Sequence, residues 1–294
     1  MPEVAVLRAP DPRTADEVAE LVDAVSRAER REALRELQRD ALVRPTHGWA
    51  GIVARERGHL VGYAGVLPEG HGWAVECVTR AGDAATALLT TALQVIADDG
   101  GGRVQLWRSA PDEASDGQAD AAGLHGRRDL LELRRPLPVG EPWALAVRPF
   151  VPGQDEAAWL RANNRAFAGH PEQGDWDLAT VQEREHEPWF DPRGFLIHER
   201  DGRVAGFCWT KVHREHDPPL GEIYVIGVDP DYGGHGLGRE LVLAGLDHLA
   251  GEGITIGMLY VDADNAPARR LYDRLGFTVH HIDRAYVGEV SSRR

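Results

Sequence analysis

The sequence predicts an α/β protein built from two tandem domains of similar plan. Three observations carry this. The chain has 294 residues, and at roughly 150 residues per domain that length fits two. Pro136, Pro138, Gly140 and Pro142 punctuate it near the middle, the pattern of a linker. On either side, strand-like and helix-like runs follow the same order with matched glycines. Gly58-His59-Leu60-Val61-Gly62-Tyr63 reads against Gly202-Arg203-Val204-Ala205-Gly206-Phe207, Thr86–Gly100 against Arg239–Gly253, and Gly123-Leu124 against Gly276-Phe277. So long a period marks a duplicated domain, not a solenoid. The expected domains are 1–138 and 143–294.

In the first half, Thr14 and Glu17 read as a capping box, with Val18, Leu21, Val22 and Val25 following at helical spacing. A second helix is expected near 28–42. Strands are expected at Gly51–Ala54, Leu60–Val66 and Trp73–Thr79, a helix near Thr86–Ala97, a strand at Arg103–Arg108, an acidic loop at Pro111–Asp120 and a strand at Leu130–Arg135. The second half restarts with a strand at Ala144–Phe150 and a helix near Gln154–Ala168. A polar and aromatic stretch follows, from His170 to Pro192. Then come strands at Gly194–Glu199, Val204–Val212 and Gly221–Val228, a glycine-rich turn and helix at Asp229–Ala250, a strand at Thr255–Val261, a helix at Ala266–Leu275 and a strand at Phe277–Val287.

The net charge is −14, from 33 basic and 47 acidic residues, and Lys211 is the one lysine. Such a chain lacks the basic face that nucleic acid or an anionic membrane surface requires. No apolar run approaches the roughly 18 residues of a membrane span, and 1–12 has no signal pattern. Cys77 and Cys208 sit in strand-like runs and read as core residues in a reduced cytoplasm. His213 and His216 read as solvated histidines of a polar loop, and no metal site is expected.

The most informative stretch is Val225-Ile226-Gly227-Val228-Asp229-Pro230-Asp231-Tyr232-Gly233-Gly234-His235-Gly236-Leu237-Gly238-Arg239. A β-branched strand enters a glycine-rich turn that opens an amphipathic helix. Such a turn serves as a tight connection, or it gathers backbone N–H groups at a helix N-terminus into an anion site without lysine. The Gly-Lys-Ser/Thr of a P-loop is missing, and the run departs from the dinucleotide-binding glycine pattern.

Val228, Pro230, Gly236 and Gly238 resemble motif A of the GCN5-related N-acetyltransferases (GNAT family). Asn265-Ala266-Pro267-Ala268-Arg269-Arg270-Leu271-Tyr272-Asp273-Arg274-Leu275-Gly276-Phe277 is similar to that family's downstream motif. One departure is Gly233, which stands at the usual Gln/Arg position. The resemblance implies that each half is a mixed, mainly antiparallel sheet flanked by helices, and that acetyl-CoA is the acyl donor. It implies that Ile226, Gly227 and Val228 pair with the pantetheine arm. The pyrophosphate would then rest on Gly233, Gly234, His235, Gly236, Leu237, Gly238 and Arg239. Asn265, Ala266, Pro267, Ala268, Arg269 and Arg270 would line the far side of the coenzyme.

Acetyl transfer needs a neutral amine, so its proton needs an acceptor, and a carboxylate near the strand end can serve, directly or through water. Glu222 opens the strand that leads to the turn, and alternation puts Glu222, Tyr224 and Ile226 on one face. Glu222 is the expected base. The resemblance places Tyr272 beside the coenzyme sulfur as the acid for the leaving thiolate.

The stretches Asn163–Gly174 and Phe207–His213, with the duplication, are similar to the tandem-domain members that acetylate the cysteinyl amine of desacetylmycothiol (cysteinyl-glucosaminyl-inositol). Glu172 and Glu222 would gather the cationic amine. Lys211, Tyr260 and Trp209 would contact the sugar and inositol, and Glu32 would reach the same substrate. An aminoglycoside or a protein N-terminus as acceptor, or a non-catalytic acyl-CoA-binding protein, are the alternatives. The first half keeps one glycine, Gly82, in its corresponding turn and has Ala119 where the second has Tyr272. It is expected to be a degenerate, non-catalytic copy in a monomeric protein.

Overall fold

The computed structural model describes residues 2–9, 11–29, 33–80, 82–170 and 173–293. In chain order the first half gives β1 (Glu3–Leu7), α1 (Pro12–Glu29), α2 (Glu36–Val43), β2 (Ala50–Glu56), β3 (His59–Glu69), β4 (Gly72–Thr79), α3 (Gly82–Asp98), β5 (Gly102–Ser109), α4 (Glu113–Ala121) and β6 (Gly126–Pro136). The second gives β7 (Arg148–Pro149), α5 (Glu156–Ala166), α6 (Leu178–Glu185), β8 (Phe195–Arg200), β9 (Arg203–His213), β10 (Leu220–Val228), α7 (Leu237–Gly251), β11 (Ile256–Asp262), α8 (Ala266–Arg274) and β12 (Thr278–Val290). Among the described residues no helix is long and apolar enough to cross a membrane.

Two compact units result, and their boundaries differ from the sequence division at 138 and 143. Unit 1 comprises Met1–Leu130 with His281–Arg294, and unit 2 comprises Leu131–His280. In unit 1 the strand order is β1-β2-β3-β4-β5-β12. All pairings reported within it are antiparallel except β4 with β5. In unit 2 the order is β6-β11-β10-β9-β8-β7, with β10 and β11 the parallel pair. The last strand of each half thus completes the sheet built mainly by the other half. Ala285 and Tyr286 of β12 are buried in unit 1, and Leu131 and Leu133 of β6 are buried in unit 2.

Each sheet carries apolar side chains on both faces, as strands sandwiched between helices must. In unit 1, Ile52, Val66, Leu106 and Tyr286 pack with Leu88 and Ile96 of α3. On the other face Val53, Tyr63 and Trp107 pack with Val18, Leu21 and Val22 of α1. In unit 2, Ile223, Leu259 and Val261 pack with Leu241, Val242, Leu246 and Leu249 of α7 and with Tyr272 of α8. On the other face Phe207, Trp209 and Val225 pack around Trp159 of α5, with Val181 of α6.

Local chemistry corrects several expectations. α1 begins at Pro12 and is capped by Asp11, whose carboxylate accepts from Thr14 N at 3.0 Å. Thr14 is therefore inside the helix, and Glu17 pairs with Arg13 and Arg55 instead of closing a capping box. The acidic stretch expected as a loop contains α4, where Asp112 accepts from Ser115 N at 2.8 Å. The polar stretch after His170 contains α6, capped in the same way by Asp177.

Candidate active site

The site is built where β10 and β11 part. Their parallel register covers Leu220–Glu222 against Ile256–Met258, although β10 runs on to Val228 and β11 to Asp262. On its other edge β10 pairs with β9, and the register shifts between Ile223 and Val225. Such a bulge bends a strand and re-aims its side chains. Ile223, Ile226 and Val228 consequently pack on the α7 side, while Tyr224 and Val225 pack on the α5 side. The expected common face of Glu222, Tyr224 and Ile226 is therefore corrected, because the bulge turns Ile226 to the opposite side.

Beyond β10 the chain makes a short turn of 3-10 helix at Pro230–Tyr232. Asp229 anchors it. Its carboxylate accepts from Asp231 N at 2.9 Å and from Arg165 Nε at 2.8 Å. Burial pushes the Asp229 carboxyl up, but the Arg165 bonds outweigh it and hold the group below its ordinary value. Gly234 and Gly236 have φ of 83° and 77°, which glycine adopts without strain. Among the described residues, the N–H groups of Gly234, His235 and Gly236 meet no backbone acceptor. They precede α7, whose N-terminus adds partial positive charge. The guanidinium of Arg239 is engaged by Glu141 and by Glu240 at 3.0 Å. The turn's open amides are thus its ready anion donors, more so than Arg239.

Across the split, Asn265 caps α8 by accepting from Ala268 N at 3.2 Å, Pro267 sits in the first turn, and Arg269 donates to Ala263 O at 2.8 Å. Tyr272 is 6% exposed and lies edge-on to Phe277, 5.8 Å between ring centroids. Burial, with a contribution from the Cys208 thiol, pushes its hydroxyl well above the ordinary tyrosine value. The hydroxyl therefore stays protonated in the neutral range, as an ordinary tyrosine does, and is a weaker acid than one.

Glu222 is 7% exposed and Lys211 4% exposed, and the two are register partners on β10 and β9. Lys211 Nζ lies 4.6 Å from the Trp189 ring centroid and 5.7 Å from that of Tyr224. Trp209 is fully buried and stacks on Phe195 at 4.3 Å, so the expectation that it contacts a sugar is corrected; Trp189 and Tyr224 flank the lysine instead. Tyr260 is 43% exposed on β11, beyond the last β10 pair. Glu32 and Glu172 lie outside the described residues. Asn163 Nδ2 donates to Gln173 O at 2.9 Å, and His170 approaches Asp262 at 3.5 Å.

The residue that sequence reasoning missed is His213. It ends β9 instead of lying in a loop, and its Nε2 is 2.7 Å from Glu222 Oε2. Strand alternation from Lys211 to His213 could have found it. Polar atoms of His213, Glu215 and His216 lie within 4.8 Å of one another, and the His213 side chain is only 15% exposed, which corrects the solvated reading for His213.

Among its described residues, unit 1 lacks the bulge and the buried Lys–Glu pair. Its β3–β4 register runs unbroken from Gly62–Thr79 to Glu69–Gly72. With Gly62 matched to Gly206, Leu67 and Ala74 stand where unit 2 has Lys211 and Glu222. Ala119, at the place of Tyr272, is fully buried.

The fold and this site define an acetyltransferase of the GNAT class. The model of the acetyltransferase (GNAT) family matches residues 157–277. A tandem GNAT protein from the clavulanic acid biosynthesis pathway superimposes with a TM-score of 0.71 at 17% identity, covering 100% of both chains. A GCN5-related N-acetyltransferase from Sphaerobacter thermophilus gives 0.72 at 24% identity, covering 98% of this chain and 96% of that one. Within that class the chain belongs to the mycothiol acetyltransferase family. It is 40% identical to the mycothiol acetyltransferase of Thermomonospora curvata, over 94% of this chain and 95% of the relative. It is also 40% identical to that of Streptomyces bingchenggensis, over 96% of each.

Proposed function

We infer that the protein transfers the acetyl group of acetyl-CoA to the cysteinyl amine of desacetylmycothiol, and that unit 2 performs the chemistry. Full-length kinship to mycothiol acetyltransferases supports the acceptor. The observation that carries the mechanism is the buried Glu222 carboxylate, placed where β10 and β11 part and on the strand that leads to the open-amide turn.

Acetyl-CoA is a substrate here. Its pyrophosphate suits the open amides within Gly233–Arg239, those of Gly234, His235 and Gly236, and its pantetheine suits the edge of Ile226–Val228 that faces away from β9. Asn265–Arg270 form the opposite wall. Glu222 takes the amine proton, and the neutral nitrogen attacks the thioester carbonyl. Backbone N–H near Ile226–Val228 stabilises the oxyanion. Collapse breaks the C–S bond, Tyr272 protonates the departing sulfur, and the second proton shed by the nitrogen as the amide forms restores Tyr272 through solvent. Lys211 and Tyr260 contact the sugar hydroxyls, with Glu172 as a further acceptor contact. Unit 1 is non-catalytic in this reading, and the enzyme is a cytoplasmic monomer.

The test is coenzyme A release with a panel of acceptors. Desacetylmycothiol is expected to support turnover far above an aminoglycoside or a peptide N-terminus. Equal or better turnover of either alternative contradicts the reading.

A further inference from the structure

Among the described residues, Glu222 is held through one of its two oxygens. Oε2 meets His213 Nε2 at 2.7 Å, and the Nδ1 of the same ring lies 3.1 Å from Glu215 Oε1. The His213 side chain is 15% exposed and that of Glu222 9% exposed, whereas Glu215 is 61% exposed. The ring therefore joins a buried carboxylate to one at the surface. Among the described residues, Lys211, on the same face of β9, and His216, at 6.0 Å between ring centroids, are the other charged or titratable neighbours.

We propose that His213 is a positioning residue for the acetyl transfer: its Nε2–H fixes Oε2 of Glu222, so that Oε1 receives the amine proton. This rests on the reading of Glu222 as the base. The proton balance is simple. An ammonium and a thioester give an amide, a thiol and one released proton; that proton passes through Oε1, while the Nε2–H stays in place.

The surroundings favour the charged ring. Burial opposes it, but the hydrogen bond and charge of Glu222 outweigh burial and the repulsion of Lys211, so His213 titrates above its ordinary value. A cationic ring repels the incoming ammonium. Once the ring loses its Nδ1 proton that repulsion is gone, and the Nε2–H still orients Glu222. The rate should then depend on two deprotonations, that of His213 and that of the acceptor amine.

The test compares wild type with His213→Gln and His213→Asn. Gln keeps an N–H near the Nε2 position without titrating, whereas Asn reaches only the Nδ1 position. Wild-type log kcat/KM for desacetylmycothiol should fall with a slope approaching two at low pH. His213→Gln should keep most of the activity with a slope of one. His213→Asn should lose about 10- to 100-fold, the scale of a hydrogen bond to a charged group. Acetyl-CoA affinity, measured by calorimetry, should be unchanged in both, which also checks folding. A slope unchanged in His213→Gln overturns the proposal. Glu222→Gln is run in parallel. If it turns over like wild type, the base assignment itself fails; if it is slowed while both His213 variants behave as wild type, only the role of His213 fails.

Discussion

At the scale of single residues, Lys211 and Tyr272 make separable predictions. The Lys211 ammonium is a compact charge packed against Trp189 and Tyr224, and a planar guanidinium does not reproduce that geometry. Lys211→Arg should raise KM for the acceptor about tenfold and leave acetyl-CoA affinity unchanged, read from initial rates and calorimetry; equal loss of both removes the lysine from the acceptor side. Tyr272→Phe keeps the packing against Phe277 and removes only the hydroxyl. A thiolate with a pKa near about 8.5 is already a fair leaving group, so kcat should fall by less than in Glu222→Gln. Lys211 was legible from composition and Tyr272 from its motif. His213 was not, because the polar residues after it masked the end of the strand.

At the scale of elements, the turn before α7 carries a prediction about the coenzyme. Gly236 has φ of 77° and caps the helix, and a side chain there costs about 1–2 kcal/mol. Gly236→Ala should weaken acetyl-CoA binding about tenfold while the KM for the acceptor stays within twofold; unchanged coenzyme affinity would take this turn out of the binding site. The packing of α6 on α5 carries a pH prediction. Burial, with the charge of Glu156 and a hydrogen bond to it, pushes Glu185 up to about 7. Its folded value is raised above the unfolded one near about 4.3, so the folded state favours the protonated form. The contribution to stability is full below about 4.3 and is lost as pH rises through about 7. Glu185→Gln should therefore raise Tm relative to wild type at pH 8 and not at pH 4; a gain independent of pH removes this cause. The glycine turn and its flanking strand and helix were legible because local spacing encodes them. The β10 bulge was not, because it exists only in the pairing with β9.

At the scale of the whole molecule, the duplication was legible and the exchange of last strands was not. Matched glycines report that two copies exist, but no local pattern reports which copy β6 or β12 completes. Unit 1 depends on Ala285 and Tyr286, both fully buried, and on the pairing of β12 with β5. Truncation after His280 should leave unit 1 without a strand and with an open sheet edge, visible as rapid proteolysis within 1–130 and loss of its cooperative unfolding. A truncated chain as protease-resistant as the full one contradicts the exchange.

The most direct test of the central claim is turnover of desacetylmycothiol by the purified protein, wild type beside Glu222→Gln, with the product identified by mass spectrometry. Wild type is expected to form the N-acetylated product. The variant is expected to be slowed about 100- to 10,000-fold, the range of general base catalysis, with acetyl-CoA affinity unchanged. No N-acetylated product from wild type, or wild-type turnover by the variant, contradicts the account.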